Sequence, residues 1–219
     1  MAAHPRPTPH APKTGASAET RSRDPLATRQ ALLLAAFEEI HEQGFRAASL
    51  DRILERAGCT KGALYHHFEN KTALGYAVID ELIWPEAQQR WAVLADPAVH
   101  PIDALVGCVR DELAERPCHA QDYGCPINNL VQEMSTVDEG FRARLVRIQD
   151  GWRQAIAAAL VRGQRAGQVR ADVDPERMGA LLVAAYEGCN GLAKSTQDHA
   201  VFTSCMEGLM QIGETLRVH

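Results

Sequence analysis

Apolar residues return every three or four positions along most of this chain, the period of a helix face and not of a strand. Leu33, Phe37, Ile40 and Gly44 trace one face of a first helix. Asp24-Pro25 opens it as a cap and first-turn proline, and Gly44 closes it. Ser49 caps a short second helix with Leu50, Ile53, Leu54 and Ala57 inside, and Gly58 stops it. Thr60 caps a third carrying Leu64 and Tyr65. Asn70 caps a longer fourth through Leu74, Ala77, Val78 and Leu82, with a kink expected at Pro85. Ile102 to Arg116 reads as a helix closed by Pro117, and the loop Cys118 to Gly124 follows. Cys125-Pro126 opens a helix through Met134. Thr136 and Glu139, at capping-box spacing, precede a long helix marked by Phe141, Leu145, Ile148, Trp152, Ile156 and Leu160 and ending near Gly167. Asp174-Pro175-Glu176 starts the next, with Met178, Leu181, Leu182, Ala185 and Cys189 on one side. Phe202, Met206, Leu209 and Gly213 mark the last. No stretch alternates like a convincing strand, so the expected fold class is all-α, with about nine helices. Residues 1–23, broken by Pro5, Pro7, Pro9 and Pro12, are expected to form a disordered arm.

Composition narrows the function classes. At 46% hydrophobic residues over 219 positions, the chain has too much apolar content for a solvated coil. Its longest apolar runs, Leu32 to Phe37 and Ile156 to Val161, fall far short of the roughly 20 residues that span a bilayer. The first residues lack the apolar core of a secretion signal, so a cytoplasmic location without membrane contact is expected. The net charge of −5 conceals an asymmetry. Residues 1–76 carry ten basic and eight acidic residues, a balance of +2, and residues 77–219 carry thirteen and twenty, a balance of −7. Of the six cysteines, no two are spaced C-x-x-C. Reduced thiols packed as small hydrophobes are the expectation.

The segment from Phe45 to Lys71, FRAASLDRILERAGCTKGALYHHFENK, carries the clearest chemistry. Helix, tight glycine turn and short helix make a helix-turn-helix, whose second helix can enter a DNA major groove. Thr60, Lys61, Gly62 and Ala63 open that helix. Small residues there allow close backbone approach, and Lys61 adds charge and reach. Tyr65 and His66 can donate to phosphates, as can Lys71 at the next helix start. Arg21, Arg23 and Arg29 either graze phosphates or belong to a solvated tail.

Ala57-Gly58-Cys59, Gly62, Leu64-Tyr65, His67-Phe68 and Asn70-Lys71, preceded by Gly44-Phe45 and Ser49, resemble the TetR family of one-component transcriptional regulators. The resemblance covers about 50 residues. It implies a homodimer of all-helical subunits on double-stranded operator DNA, released by a small-molecule inducer. It implies a helix-turn-helix domain over 24–71 and a ligand-binding and dimerisation domain over 72–219. By the same resemblance Ser49, Thr60, Lys61, Gly62, Ala63, Tyr65, His66 and Lys71 face DNA, and Leu64 and Phe68 form core. Lys61 is the candidate for a guanine O6/N7 contact. Asp51, an acidic residue near that side, leaves the share of the second helix open.

In the second half, Tyr123-Gly124-Cys125-Pro126 is the most distinctive stretch, and it resembles a subgroup with Gly-Cys at this helix start. Cys125 at a helix N-terminus is either an activated thiolate or a buried, inert residue. Asn129 and Glu133 share a face four residues apart. Trp84, Trp91, Trp152 and Tyr186 are candidates to line a pocket around them, with Asn190 and Tyr123 as further polar candidates. The expected ligand set is therefore Trp91, Tyr123, Cys125, Asn129, Glu133, Trp152, Tyr186 and Asn190. A metal site from Cys118, His119 and Cys125 matches no strong zinc spacing, and neither metal nor cofactor is expected. Gly179, Ala180, Ala184, Ala185 and Gly188 are small, which suits either a dimer through the last two helices or close packing within one subunit. The competing function is a thiol-redox protein or small helical enzyme using Cys125. Against it, the chain has no Gly-rich phosphate loop and no H-E-x-x-H.

Overall fold

A computed structural model of the chain describes residues 24–115 and 123–218. The proline-rich arm with Arg21 and Arg23, and the Cys118-His119 pair, lie outside the described residues. Within them are nine helices, in keeping with the all-α expectation. They are α1 (Pro25–Gln43), α2 (Leu50–Ala57), α3 (Lys61–His67), α4, α5 (Pro101–Glu115), α6 (Pro126–Met134), α7 (Glu139–Arg165), α8 (Pro175–Thr196) and α9 (His199–Glu214). The rod α4 is continuous: Lys71–Val78, a π-helical turn Ile79–Ile83, then Trp84–Trp91. The expected kink has a local cause. Pro85 has no N–H to offer the carbonyl four residues back, and the wider turn just before it absorbs the misfit.

Most helix starts are where side-chain acceptors put them. Ser49, Thr60, Asn70 and Asp174 each cap a backbone N–H that would otherwise be orphaned at a helix N-terminus. At α7 the cap is Asp138, which accepts from the Phe141 amide at 2.9 Å, and not the expected Thr136. Residues 135–137 form the turn that ends α6, where Val137 and Asp138 both donate to the Met134 carbonyl. The new helix can therefore begin only after it.

The first three helices pack on Leu32, Ala36, Ile53, Leu64 and Phe68, all buried. Gly58, at φ +58°, makes the tight left-handed turn between α2 and α3. Glu39 of α1 is completely buried. Its Oε1 accepts from the Ser49 amide at 3.0 Å and pairs with Arg52 at 2.7 Å, so it fastens the start of α2 onto α1. A buried carboxylate is tolerable only when paired in this way.

The rod α4 and helices α5, α6 and α8 pack around α7, and α9 packs on α5 and α8. Helix α8 approaches it so closely at Gly179 that an added Cβ would stand 2.8 Å from the Arg153 carbonyl oxygen. Gly179 thus serves packing inside one subunit and not a partner, while Ala184 and Gly188 remain exposed. A disulfide joins Cys189 of α8 to Cys205 of α9, with Cα atoms 5.5 Å apart. This corrects the expectation that all thiols are reduced. Two neighbouring helices bring together cysteines 16 residues apart, and nothing in their spacing announces it.

Tyr76 of α4 donates its hydroxyl to Asp138 Oδ1 at 2.5 Å, tying the rod to the start of α7. The Tyr76 hydroxyl, and then the Phe141 amide, hold the Asp138 carboxyl below its ordinary pKa. A depressed carboxyl stabilises the fold fully above its unfolded pKa, about 4, and loses that contribution as pH falls through the folded value. Tyr76→Phe should therefore lower the thermal unfolding midpoint at neutral pH. The gap from wild type should close as pH drops below about 4, which a pH series of melts would measure.

Candidate functional site

Helix α3 presents a polar face. Lys61, Gly62, Tyr65 and His66 are exposed, as is Thr60 at its cap, while Leu64 and Phe68 are buried against α1. Ala63 and Ser49 are half-buried beside them. Arg46 and Arg52, exposed near the start of α2, were not singled out from the sequence. Two basic residues flanking Ser49 were the available signal. Lys71 is engaged locally: its Nζ donates to the Arg46 carbonyl at 3.1 Å and sits 5.1 Å from the Phe45 ring centroid. Burial pulls its pKa below the ordinary lysine value. Its first role is holding the α1–α2 turn, and an ammonium's remaining N–H groups are what it has for an anion.

That turn is the contact between head and body. Glu133 of α6 accepts the Phe45 amide at 2.7 Å and the Arg46 amide at 2.8 Å, one with each carboxylate oxygen. Gly44 makes room for it: its φ is +81°, and an added Cβ would lie 2.9 Å from Glu133 Oε2. Below, Phe45 packs on Phe141 of α7 with centroids 4.5 Å apart. Gly75 of α4 admits both rings, because a Cβ there would stand 2.5 Å from Phe45 and 2.7 Å from Phe141. A second strut runs from His41 Nε2 of α1 to the Gly124 carbonyl oxygen at 2.8 Å.

The eight residues grouped from sequence as one ligand set separate into two places. Glu133 grips the head. Asn129 donates to the Tyr123 carbonyl at 2.7 Å and accepts from Lys194 at 2.9 Å, and Tyr123 lies beside His41. Cys125 is buried, and its Sγ donates to Glu187 Oε1 of α8 at 3.5 Å. The Cys125 thiol makes no capping bond to α6. The thiol is shielded and aimed at a carboxylate, whereas a reactive cysteine is accessible. Asn190 is buried on α8, donating to the Tyr186 carbonyl at 2.9 Å. These five residues belong to the junction between α1, α6 and α8. The shared face of Asn129 and Glu133 was legible, but not what it faces. Glu187, the partner of Cys125, was missed.

The three aromatic candidates do come together. Trp91 lies 5.7 Å from Trp152 and 5.8 Å from Tyr186, centroid to centroid, and Trp152 lies 6.1 Å from Tyr186. Trp91 walls two hollows. One is apolar, about 10 Å³, and lined by Leu105, Val106, Leu182, Tyr186 and Leu209, with room for a single water at most. The other is a cleft of about 220 Å³ between α4 and α7, with Trp84, Trp152, Ile148 and Gly151 in its walls. The indole N–H groups of Trp91 and Trp152 are buried with no acceptor among the described residues. Each such orphan costs on the order of 1–3 kcal/mol.

Comparison with known proteins bears on both halves. Residues 32–78 match the family described as bacterial regulatory proteins, tetR family. Residues 101–209 match the tetracyclin repressor-like C-terminal domain. Among curated relatives, the transcriptional regulator AcuR of Cereibacter sphaeroides is 29% identical over 165 residues, 75% of each chain. The HTH-type transcriptional repressor DhaR of Mycobacterium sp. is 28% identical over 160 residues, 73% of this chain and 79% of that one. Among solved structures, a TetR transcriptional regulator from Chloroflexus aurantiacus superimposes with a TM-score of 0.76 at 28% identity, covering 89% of this chain and 98% of its own.

Glu133→Ala removes the acceptor of two amides, one of them on the buried Phe45. A hydrogen bond to a charged group contributes roughly 1.5–3 kcal/mol, so amide exchange at Phe45 and Arg46 should quicken by about tenfold or more. Hydrogen-exchange mass spectrometry of peptides over 44–48 would read the change, and unaltered exchange would mean the clasp carries no load.

Proposed function

Because the chain belongs to the TetR family of bacterial transcriptional regulators, we propose that it is a ligand-responsive repressor. It binds a palindromic operator as a homodimer and leaves it when a small organic inducer occupies the body. The observation that carries this reading is the Glu133 clasp, which joins the cavity-bearing body to the turn ahead of the reading helix. An inducer that favours a body conformation with a displaced α6 shifts the two heads away from half-site spacing, a population shift. The unit that reads DNA is 24–71, and 72–219 binds ligand and partner.

In this reading Lys61 reaches a guanine edge, and Thr60, Gly62 and Ala63 bring the backbone close. Ser49, Tyr65, His66 and Lys71 hold phosphates. The shielded thiol of Cys125 favours non-covalent inducers over electrophiles and speaks against a thiol enzyme. The repressor name of the Mycobacterium relative supports the sign of regulation. Dimerisation is assigned to α8 and α9, where Leu181, Ala184, Gly188, Leu192 and Ile212 leave an exposed, largely apolar face. No helix among the described residues is long and apolar enough to cross a membrane.

A mobility shift on the DNA flanking the gene tests the reading, and absence of any specifically bound duplex at modest salt would overturn it. Lys61→Ala should cost about 1–3 kcal/mol of operator affinity and relax discrimination at one base pair. Tyr65→Ala should weaken binding to all duplexes alike. Full affinity in both variants would remove α3 from the interface. Leu181→Glu should give a monomer by light scattering and lose the operator with it. A dimer that persists would move the interface elsewhere.

A further inference from the structure

The two orphaned indole N–H groups say what kind of molecule the body is built to accept. Trp91 and Trp152 are each 6% exposed, and both line the cleft between α4 and α7. Gln88 supplies the one polar side chain there besides the indoles, and no Lys, Arg, Asp or Glu lines it. The small hollow beside Trp91 is walled by apolar side chains and Tyr186. We infer that the effector is a neutral molecule with a ring-sized apolar body and one hydrogen-bond acceptor, such as a ketone, aldehyde or ester. It is held by the N–H groups of Trp91 and Trp152. This deepens the inducer reading, and rests on it only for the consequence that binding releases DNA.

Three physical points select that class. A buried donor without an acceptor is a standing cost that only an acceptor-bearing ligand removes, so an apolar isostere leaves it in place. A carboxylate entering this lining would be desolvated, and Arg147 at the cleft wall is already paired with Asp80 at 3.0 Å. A cation would find aromatic faces, but the Arg147 guanidinium already lies 4.2 Å over the Trp84 ring at the cleft wall. Access also carries information. Both indole nitrogens are shut off from solvent, so an acceptor reaches them only as the aromatic wall opens. Trp91 is the wall common to both hollows.

The test uses the full-length protein and four probes of similar size: acetophenone, ethylbenzene, benzoate and benzyltrimethylammonium. Calorimetry or tryptophan fluorescence should show saturable acetophenone binding, about tenfold tighter than ethylbenzene and tighter than either charged probe. Trp91→Phe and Trp152→Phe keep a ring and delete the N–H, and each should bring the acetophenone-to-ethylbenzene ratio down several-fold toward one. An independent readout needs no variant. In a proton–nitrogen spectrum, the indole N–H signals of Trp91 and Trp152 should move downfield with acetophenone, as hydrogen bonding requires, and should not move downfield with ethylbenzene. The inference is overturned by no saturable acetophenone binding, by equal binding of ethylbenzene, by a charged probe binding tightest, or by a ratio that survives both substitutions. Because these readouts contain no DNA, they separate the two claims. Acetophenone that binds as expected but leaves the operator complex intact would sink the inducer reading alone.

Discussion

One carboxylate joins the two halves of this protein. Glu133 holds the consecutive amides of Phe45 and Arg46, and those residues form the turn from which α2 and α3 hang. Much around it serves that contact. Gly44 adopts a left-handed conformation that leaves space for the carboxylate, and Gly75 leaves space for the Phe45 and Phe141 rings beneath. Lys71 braces the same turn through the Arg46 carbonyl. A turn held by a charge, a ring stack and an ammonium cannot drift independently of the body.

The clasp would be useless if the head were soft. Helix α3 has seven residues, too few to persist alone, so its geometry is borrowed from α1. Leu64 and Phe68 supply the apolar contact, and the buried Glu39 fixes α2 through the Ser49 amide and Arg52. Arg56 adds ion pairs to Glu38 and Glu42 on the exposed side of α1. The head therefore moves as a unit, and a small tilt at the turn becomes a displacement of the reading face.

Much of this was legible from residues alone because it is local. Caps, glycine stops and the three-to-four spacing determined the order and approximate limits of the helices, and the motif around Gly62 and Tyr65 gave the exposed face of α3. What escaped depended on which helices become neighbours. Glu133 and Asn129 do share a face, but the face meets α1 and α8 and not the aromatic cluster. Cys125 has the sequence position of an activated thiol, yet its rotamer directs it to Glu187, on a helix some sixty residues later. The Cys189–Cys205 bond and the burial of Glu39 are tertiary facts of the same kind. A charged residue one position before Ile40 on an inward helical face was the one hint available for Glu39.

The rod α4 gives the geometry direction. Lys71 at its first turn touches the α1–α2 turn, and Trp91 at its last turn walls both hollows. Between them, within the π-helical turn, Asp80 is held by Arg144 and Arg147 of α7 at 2.8 and 3.0 Å. A rod anchored near its middle converts motion at one end into opposed motion at the other. Lys71 at the other end of the rod meets the same turn that Glu133 grips. The acidic surplus of residues 77–219 fits this division of labour. Repulsion from phosphate disfavours contact between such a body and DNA, and the small basic surplus lies in the head.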